Sequence, residues 1–284
     1  MQKTIFITGT SSGLGRETAL YFAKQGWNVA ATMRSPEKET ELTKHPNIRV
    51  FRLDVTNLGQ VSSAIADAIA AFGRIDVVVN NAGMGAYGAL ELASEEAIDW
   101  QFAVNVRGPI NIIRAFLPHF RNNGGGTFIN ISSFMGLTVA VPLGSLYAMS
   151  KFALEGLTEG LHYELKPQNI RIHLVEQGGT ENTNFVNNVS WSGEGPTSPN
   201  GQTTRKVPTS AYNELTEKLK HLMATAGPEH KSHPQEIIDV IYSLATGKNQ
   251  RFRNPVGNMT RILLDMRASM PIEEYLEKIG GNFA

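Results

Sequence analysis

The feature that most restricts the fold is an alternation of two periodicities. Short β-rich runs recur through the first two thirds of the chain, each followed by a longer stretch of helix-spaced apolar residues. Strands are predicted at Thr4–Thr8 (TIFIT), Asn28–Thr32 (NVAAT), Ile48–Leu53 (IRVFRL), Asp76–Asn80 (DVVVN), Thr127–Ile131 (TFINI) and Arg171–Val175 (RIHLV). Helices are predicted over Gly13–Gln25, Leu58–Phe72, Glu95–Phe120 and Leu146–Leu165. Several strands are apolar throughout instead of alternating, as a parallel sheet covered by helices on both faces demands. Repeated right-handed strand–helix units lead to an α/β fold: a Rossmann-like, doubly wound parallel sheet of about seven strands.

After residue 185 the pattern changes. Asn187–Ser210 is rich in Ser, Thr, Asn, Gly and Pro and reads as a long loop. Helices follow at Ala211–Ala224 and Pro234–Leu244, RFRNPVG offers a last strand, and Met259–Ile279 closes in helical pieces. No repeat and no strong boundary interrupts the 284 residues. The expectation is one domain: a core over 1–185, a substrate loop or lid over 186–230, and a C-terminal helical part over 231–284.

Charge excludes some functions. The formal net charge is +0, from 26 basic and 26 acidic residues, so nothing points to nucleic acid. With no cysteine, thiolate catalysis, disulfides and Cys-bound zinc are ruled out. The 7 histidines show no metal-ligand spacing, and His119, His162 and His173 read as structural. The N-terminal apolar run is too short for a signal core and no segment reaches a membrane span, so a soluble, cytoplasmic protein is expected.

Chemistry concentrates at the carboxyl ends of the strands. The first strand runs into TGTSSGLG, with Gly9, Gly13 and Gly15 before a helix. Glycines serve the tight turn, the approach of backbone to a pyrophosphate and helix–strand packing, and the helix N-terminus favours phosphate. The second strand ends in ATMRSPEK, with Arg34 where NAD-binding folds usually place an acid. Arginine there suits the 2′-phosphate of NADP, and Ser12 offers a hydroxyl, so NADP(H) is expected over NAD(H). The alternative is an ordinary surface arginine. Asp54, in LDVT, is placed to accept from an adenine amino group; Asp54 and Asn81, in NNAG, also suit helix capping or turn formation. Tyr147 and Lys151, in YAMSK, lie one turn apart on one helical face.

With TGTSSGLG, LDVT, NNAG, VNVRG, ISSFMG and YAMSK in this order, the chain resembles the classical short-chain dehydrogenases/reductases, closest in motif style to steroid, retinol and carbonyl reductase-type members. The resemblance covers residues 1–185 and extends to the C-terminal third by layout. It implies Tyr147 as general acid/base, Lys151 to lower its pKa and hold the nicotinamide ribose, Ser133 to polarise the carbonyl, and Asn105 to position a water. Ser132 is expected to face away. By the same resemblance the cofactor lies against Gly9, Ser11, Ser12, Gly13, Leu14 and Gly15, against Arg34, Asp54 and Val55, and against Asn81, Ala82 and Gly83. Tyr147, Lys151, Gly178, Thr180 and Thr183 complete that list, with Thr183 the likelier amide partner.

Two departures stand out. The segment from Ser133 to Tyr147 is one residue longer than the family's usual spacing. After the sixth strand, VEQGGTENTNF carries Gln177 where the family has proline, with one extra residue before Thr183.

The implied activity is NADP(H)-dependent interconversion of a carbonyl and its alcohol. Met84, Tyr87, Phe134, Leu143, Phe185, Val186 and Trp191 are candidate pocket residues, and their apolar character points to a hydrophobic substrate. Met135, Met149 and the tryptophans are read as core or pocket wall, and Glu155 and Glu159 as a solvated or interface face. Relatives pair two helices into a four-helix interface, which implies a homodimer or homotetramer. The alternatives are epimerisation or dehydration by the same fold, and a non-catalytic NADP-binding sensor or scaffold.

Overall fold

The computed structural model describes residues 2–180, 189–192, 209–225, 227, 231–281 and 283. Seven parallel strands form the central sheet: β1 (Thr4–Thr8), β2 (Asn28–Met33), β3 (Ile48–Arg52), β4 (Val77–Asn80), β5 (Gly126–Ser133), β6 (Ile170–Gln177) and β7 (Arg253–Val256). Their order is β7-β6-β5-β4-β1-β2-β3. Winding reverses between β1 and β4, so the loops leaving these two strands diverge and open a crevice at their carboxyl ends.

Side-chain alternation explains why all five residues of β1 are buried. Ile5 and Ile7 join the apolar layer under α1 (Gly13–Lys24) and α7 (Pro234–Ala245), while Phe6 joins the opposite layer. That second layer is closed by α2 (Leu58–Phe72), α4 (Gly108–Asn122) and α5 (Ser145–Leu165). Phe116 on α4 is fully buried, and its ring meets Phe6 edge-on at 5.0 Å between centroids.

The stretch expected as one helix over Glu95–Phe120 is helical but not uniform. It comprises α3 (Glu95–Phe102), a π-type turn over Ala103–Arg107, and α4. Pro109 supplies a reason: it lacks the N–H that an α-helix would direct at the Asn105 carbonyl. The wider turn sits at Asn105, where the sequence places a site residue.

Beyond the core, a short helical turn over Thr209–Tyr212 leads into α6 (Asn213–Thr225), and α8 (Asn258–Ser269) and α9 (Ile272–Gly280) follow β7. Ser190–Trp191 pairs with Ala86–Tyr87, and Lys231–Ser232 with Gly179–Thr180. Among the described residues, no helix is long and apolar enough to cross a membrane.

Phe116→Ala is expected to lower the unfolding free energy by about 3–5 kcal/mol in chemical denaturation, because it opens a cavity between β1 and α4. A change below about 1 kcal/mol, in the range of ordinary surface substitutions, would contradict this packing.

Candidate active site

The glycine turn is shaped by backbone geometry. Gly9 and Gly13 have φ of 72° and 55°, in the left-handed region. A Cβ on Gly15 would lie 2.3 Å from the Gly9 carbonyl oxygen and 2.5 Å from Asn81 Nδ2, so α1 can pack this close only with glycine there. Ser12, the N-cap of α1, makes no side-chain capping bond, and the first turn holds no acid. A cavity of about 280 Å³ lies beside Gly13 and Leu14, with Glu17, His233, Pro234, Gln235 and Ile238, so the N-termini of α1 and α7 face it together. These features fit a nucleotide at the α1 end: residues with small or no side chains and helix amides with no capping side chain competing for them, whereas at α7 His233 Nδ1 caps Gln235 N.

Several predicted cofactor residues brace the turn. Asn81 Nδ2 donates to the carbonyls of Thr8 and Gly9 at 2.9 and 3.1 Å. The amides of Asn81 and Ala82 both donate to Thr8 Oγ1 at 3.0 Å. Thr8 thus ties β1 to the β4 loop, a role its place in a strand gave no sign of. Asp54 follows the turn-forming alternative: Oδ1 accepts from Thr56 N at 2.9 Å and Thr56 Oγ1 at 2.7 Å. The carbonyl of Val55 accepts from buried Asn111, and the side chain of Val55 packs on Gly108. Arg34 is exposed just past β2; its carbonyl accepts from Arg52, which also pairs with Glu37 at 2.7 Å.

Across the crevice, Ser133 closes β5 and Tyr147 and Lys151 rise from α5. Ser133 Oγ accepts from Met135 N at 3.1 Å and hydrogen-bonds the Tyr147 side chain. Lys151 Nζ donates to the Ile131 carbonyl at 2.9 Å and lies 5.7 Å from the Tyr147 ring centroid. Both side chains are buried, at 7% exposure each. Burial pushes the Tyr147 phenol up to about 12, against the pull of the Ser133 hydrogen bond. Burial also pulls the Lys151 ammonium down to about 8, against the charge of Glu155. The extra residue before Tyr147 falls in a loop where Leu143 takes a left-handed φ of 58°, with its carbonyl accepting from Gly88 N at 2.7 Å.

Asn105 is held by its side chain. Oδ1 accepts from Met84 N and Nδ2 donates to Met84 O, both at 2.9 Å, while Nδ2 also reaches Ser150 Oγ at 3.1 Å. Gln101 repeats the pattern, with Oε1 accepting from Ala86 N at 2.6 Å and Nε2 donating to Ser150 Oγ. Ser150 Oγ donates to the Tyr147 carbonyl at 2.7 Å. Through Ser150, Gln101 connects α3 and Asn105 connects the π-turn to α5. The helical spacing of Gln101 and Ser150 carried no signal for this role.

Tyr87 stacks on Tyr147 at 5.6 Å between centroids and 26° between planes, with Trp191 tilted against Tyr87 at 6.0 Å. Met135, Val189 and Leu219 complete the buried cluster, with Phe134 and Leu143 at its margin. Phe185 and Val186, also expected at the pocket, lie outside the described residues, as does Thr183. Past β6, Gln177 Oε1 accepts from Thr180 Oγ1 at 3.2 Å, and Gly178 abuts Thr260 Oγ1.

Two expectations are overturned. Met149 is 44% exposed, because α5 turns it away from the pocket that Tyr147 faces. Glu155 is not on a solvated face: it is 3% exposed, lying between β5, β6 and β7 because it shares the Tyr147–Lys151 stripe of α5. Arg253 on β7 binds it, with Nε 3.2 Å from Glu155 Oε2, and Arg253 Nη2 reaches Glu159 at 2.9 Å.

The model of the short chain dehydrogenase family matches residues 3–192. A 3-ketodihydrosphingosine reductase from Bacteroides thetaiotaomicron is 35% identical over 261 residues, covering 91% of this chain and 89% of its own. The uncharacterized oxidoreductase YusZ of Bacillus subtilis is 34% identical over 278 residues, covering 95% and 94%. Among solved structures, a short-chain dehydrogenase from Streptomyces avermitilis superimposes with a TM-score of 0.77 at 29% identity, covering 100% of this chain and 99% of its own. ElxO with NADP bound gives 0.72 at 27% identity, covering 90% and 98%.

Gly15→Ala is expected to keep the far-ultraviolet circular dichroism of the wild type but to weaken binding of the nicotinamide nucleotide by about tenfold or more, which corresponds to 1.4 kcal/mol. Calorimetric titration measures it; unchanged affinity would contradict the close packing as a condition of binding.

Proposed function

The chain belongs to the short-chain dehydrogenase family, and from that premise we propose that it is an NADP(H)-dependent oxidoreductase interconverting a hydrophobic ketone or aldehyde with its alcohol. The observation that carries the reading is the hydrogen bond between Ser133 and Tyr147 with Lys151 one helical turn on, set in an apolar recess. When bound, the nicotinamide supplies or accepts the hydride. The chain's part is the proton and the developing charge. In the reducing direction Ser133 Oγ donates a hydrogen bond to the substrate oxygen as it gains negative charge. Tyr147 gives that oxygen its proton, and the phenolate left behind is stabilised by the Lys151 ammonium. Oxidation runs the same transfers backwards. Asn105 keeps the Met84 backbone and the π-turn in register with α5.

Apolar walls support an apolar substrate. Val141, packed at the margin of the Tyr147 cluster, also lines a groove of about 430 Å³ with Val139, Pro142, Leu215, Leu276 and Ile279. A relative named for reducing a 3-keto compound agrees with a ketone. In this reading α6 and its flanking segments act as the substrate lid, with Leu219 against the Tyr147 cluster. Met149, Phe152 and Tyr163 leave apolar surface exposed along α5, which suits a homodimer or homotetramer. A non-catalytic sensor is disfavoured, because Tyr147 and Lys151 are both retained beside Ser133.

NADP over NAD rests on Arg34. The nearest acid beyond β2, Glu37, is held by Arg52, so the edge of the crevice there carries no unpaired carboxylate to meet a ribose hydroxyl. Arg34→Asp is expected to reverse the kcat/KM preference towards NADH; an unchanged preference would remove Arg34 from the argument.

Tyr147→Phe is expected to lose about 10²–10⁴-fold in kcat, the usual contribution of a general acid, in an NADPH-consumption assay over a panel of apolar ketones and aldehydes. Wild-type turnover by the phenylalanine variant would refute the mechanism. Tight NADPH binding by a wild type that turns over no substrate would favour the sensor.

A further inference from the structure

The proton chemistry proposed above does not use the most unusual group of charges in the molecule. Behind Lys151, one turn further along the same face of α5 and beneath the ends of the strands, two carboxylates are buried almost completely: Glu155 at 3% exposure and Glu176 at 0%. Glu155 is one helical turn from Lys151, on the stripe that carries Tyr147. Glu176 comes from β6, and its Oε2 accepts from Asn254 N at 2.7 Å. Arg253 on β7 faces both acids, with Nε 3.2 Å from Glu155 Oε2 and 3.8 Å from Glu176 Oε1. Glu159, half exposed, takes the other end of the guanidinium. From β5 the neutral Ser132 hydroxyl completes the surroundings. The charged groups facing Glu155 are therefore Lys151 and Glu159 on α5, Glu176 on β6 and Arg253 on β7.

Packing holds Glu155 in place. Gly136 lies over it, and a Cβ there would be 2.9 Å from Glu155 Cγ, 2.9 Å from Ser132 Oγ and 3.1 Å from the Lys151 carbonyl oxygen. The Ser132 hydroxyl hydrogen-bonds Glu155, while Glu176 Oε1 is buried without a hydrogen-bond partner, 3.8 Å from Arg253 Nε. Two carboxylates buried this deeply are costly for a structural salt bridge, since a buried pair seldom gains enough to offset its own desolvation. Stability alone gives no account of this cluster; an electrostatic effect on a neighbour does.

We propose that Glu155 is a positioning residue for the proposed reaction, its buried carboxylate holding Lys151 in the ammonium form that the Tyr147 phenolate requires, while Glu176 serves as the proton-bearing partner that leaves Glu155 ionised. This rests on the oxidoreductase reading of the site. The charge pattern agrees with it. Burial draws the Lys151 proton off, and Glu155 is the charge that opposes this. Burial raises both acids; hydrogen bonds from Ser132 and Arg253 oppose the rise at Glu155, whereas Glu176 reaches about 7 because the charge of Glu155 adds to its burial. Lys151 loses its proton through about pH 8, so the reaction should fail on that alkaline limb, and removing Glu155 should move the limb towards acid.

The test is the pH profile of kcat for wild type, Glu155→Gln, Glu155→Asp and Glu176→Gln. Glu155→Gln is expected to shift the alkaline limb down by about one pH unit or more, as loss of a nearby opposite charge does. Glu155→Asp keeps the charge and should keep the limb. Glu176→Gln keeps Glu155 and its limb, although it disturbs the same cluster equally. A limb unmoved in Glu155→Gln, or moved alike in both glutamine variants, overturns the proposal. Where Glu155→Gln fails to fold, Glu155→Met fills the volume without a buried polar atom and carries the same expectation. Competitive acetic anhydride labelling of Lys151 across pH reads its protonation without turnover. A lowered Lys151 midpoint in Glu155→Gln supports the proposal even if no carbonyl substrate is reduced, and an unchanged midpoint overturns it.

Discussion

The site depends on one buried ammonium. Lys151 reaches through the end of the sheet to donate 2.9 Å to the Ile131 carbonyl, and at 7% exposure it has little water to solvate it. Burying such a charge is expensive without compensating partners. Here compensation comes from a strand carbonyl in front and a carboxylate one turn behind. The same burial that draws the lysine down to about 8 drives the neighbouring phenol up to about 12. Each group is moved away from the state the proposed reaction needs, and in that proposal a positive charge beside the phenol brings it back.

The fold supplies the remaining constraint. Parallel strands send all their carboxyl ends to one edge, and reversal of winding between β1 and β4 opens that edge where the glycine turn stands. Thr8 and Asn81 lock the two diverging loops together, so the turn is braced before any nucleotide arrives. On the catalytic side, Asn105, Gln101 and Ser150 do the same for the loop at Met84 and for α5. Crevice walls are thus rigid through side-chain bonds to backbone, which leaves Ser133, Tyr147 and Lys151 grouped at the opening.

Much of this could be read in the sequence because it is periodic or local. Apolar runs such as TIFIT and DVVVN specify buried parallel strands, and i, i+4 spacing puts Tyr147 and Lys151 on one face. Less legible was what depends on contacts across the sheet. Asn81 carries the same letters whether it faces ligand or clamps Thr8, and only the meeting of β1 and β4 decides. Glu155 reads as a solvated helix position until β7, about a hundred residues later, brings Arg253 over it. Gln101 and Ser150 have no local signal, since Gln101 bonds backbone of the Met84–Ala86 loop and Ser150 bonds the Gln101 and Asn105 side chains. The π-turn at Asn105 had a local cause in Pro109, yet helical periodicity passes through it almost unchanged.

The central claim is that positive charge at Lys151 makes a deeply buried phenol available for proton transfer. Ultraviolet titration of tyrosinate, with NADP⁺ present and absent, tests it directly in a chain of 7 tyrosines. The account predicts that, with NADP⁺, one tyrosine ionises well below the ordinary value of about 10, and that this early step vanishes in Tyr147→Phe and in Lys151→Met. An early step that survives in Lys151→Met, or no tyrosine titrating early with NADP⁺ bound, would contradict it.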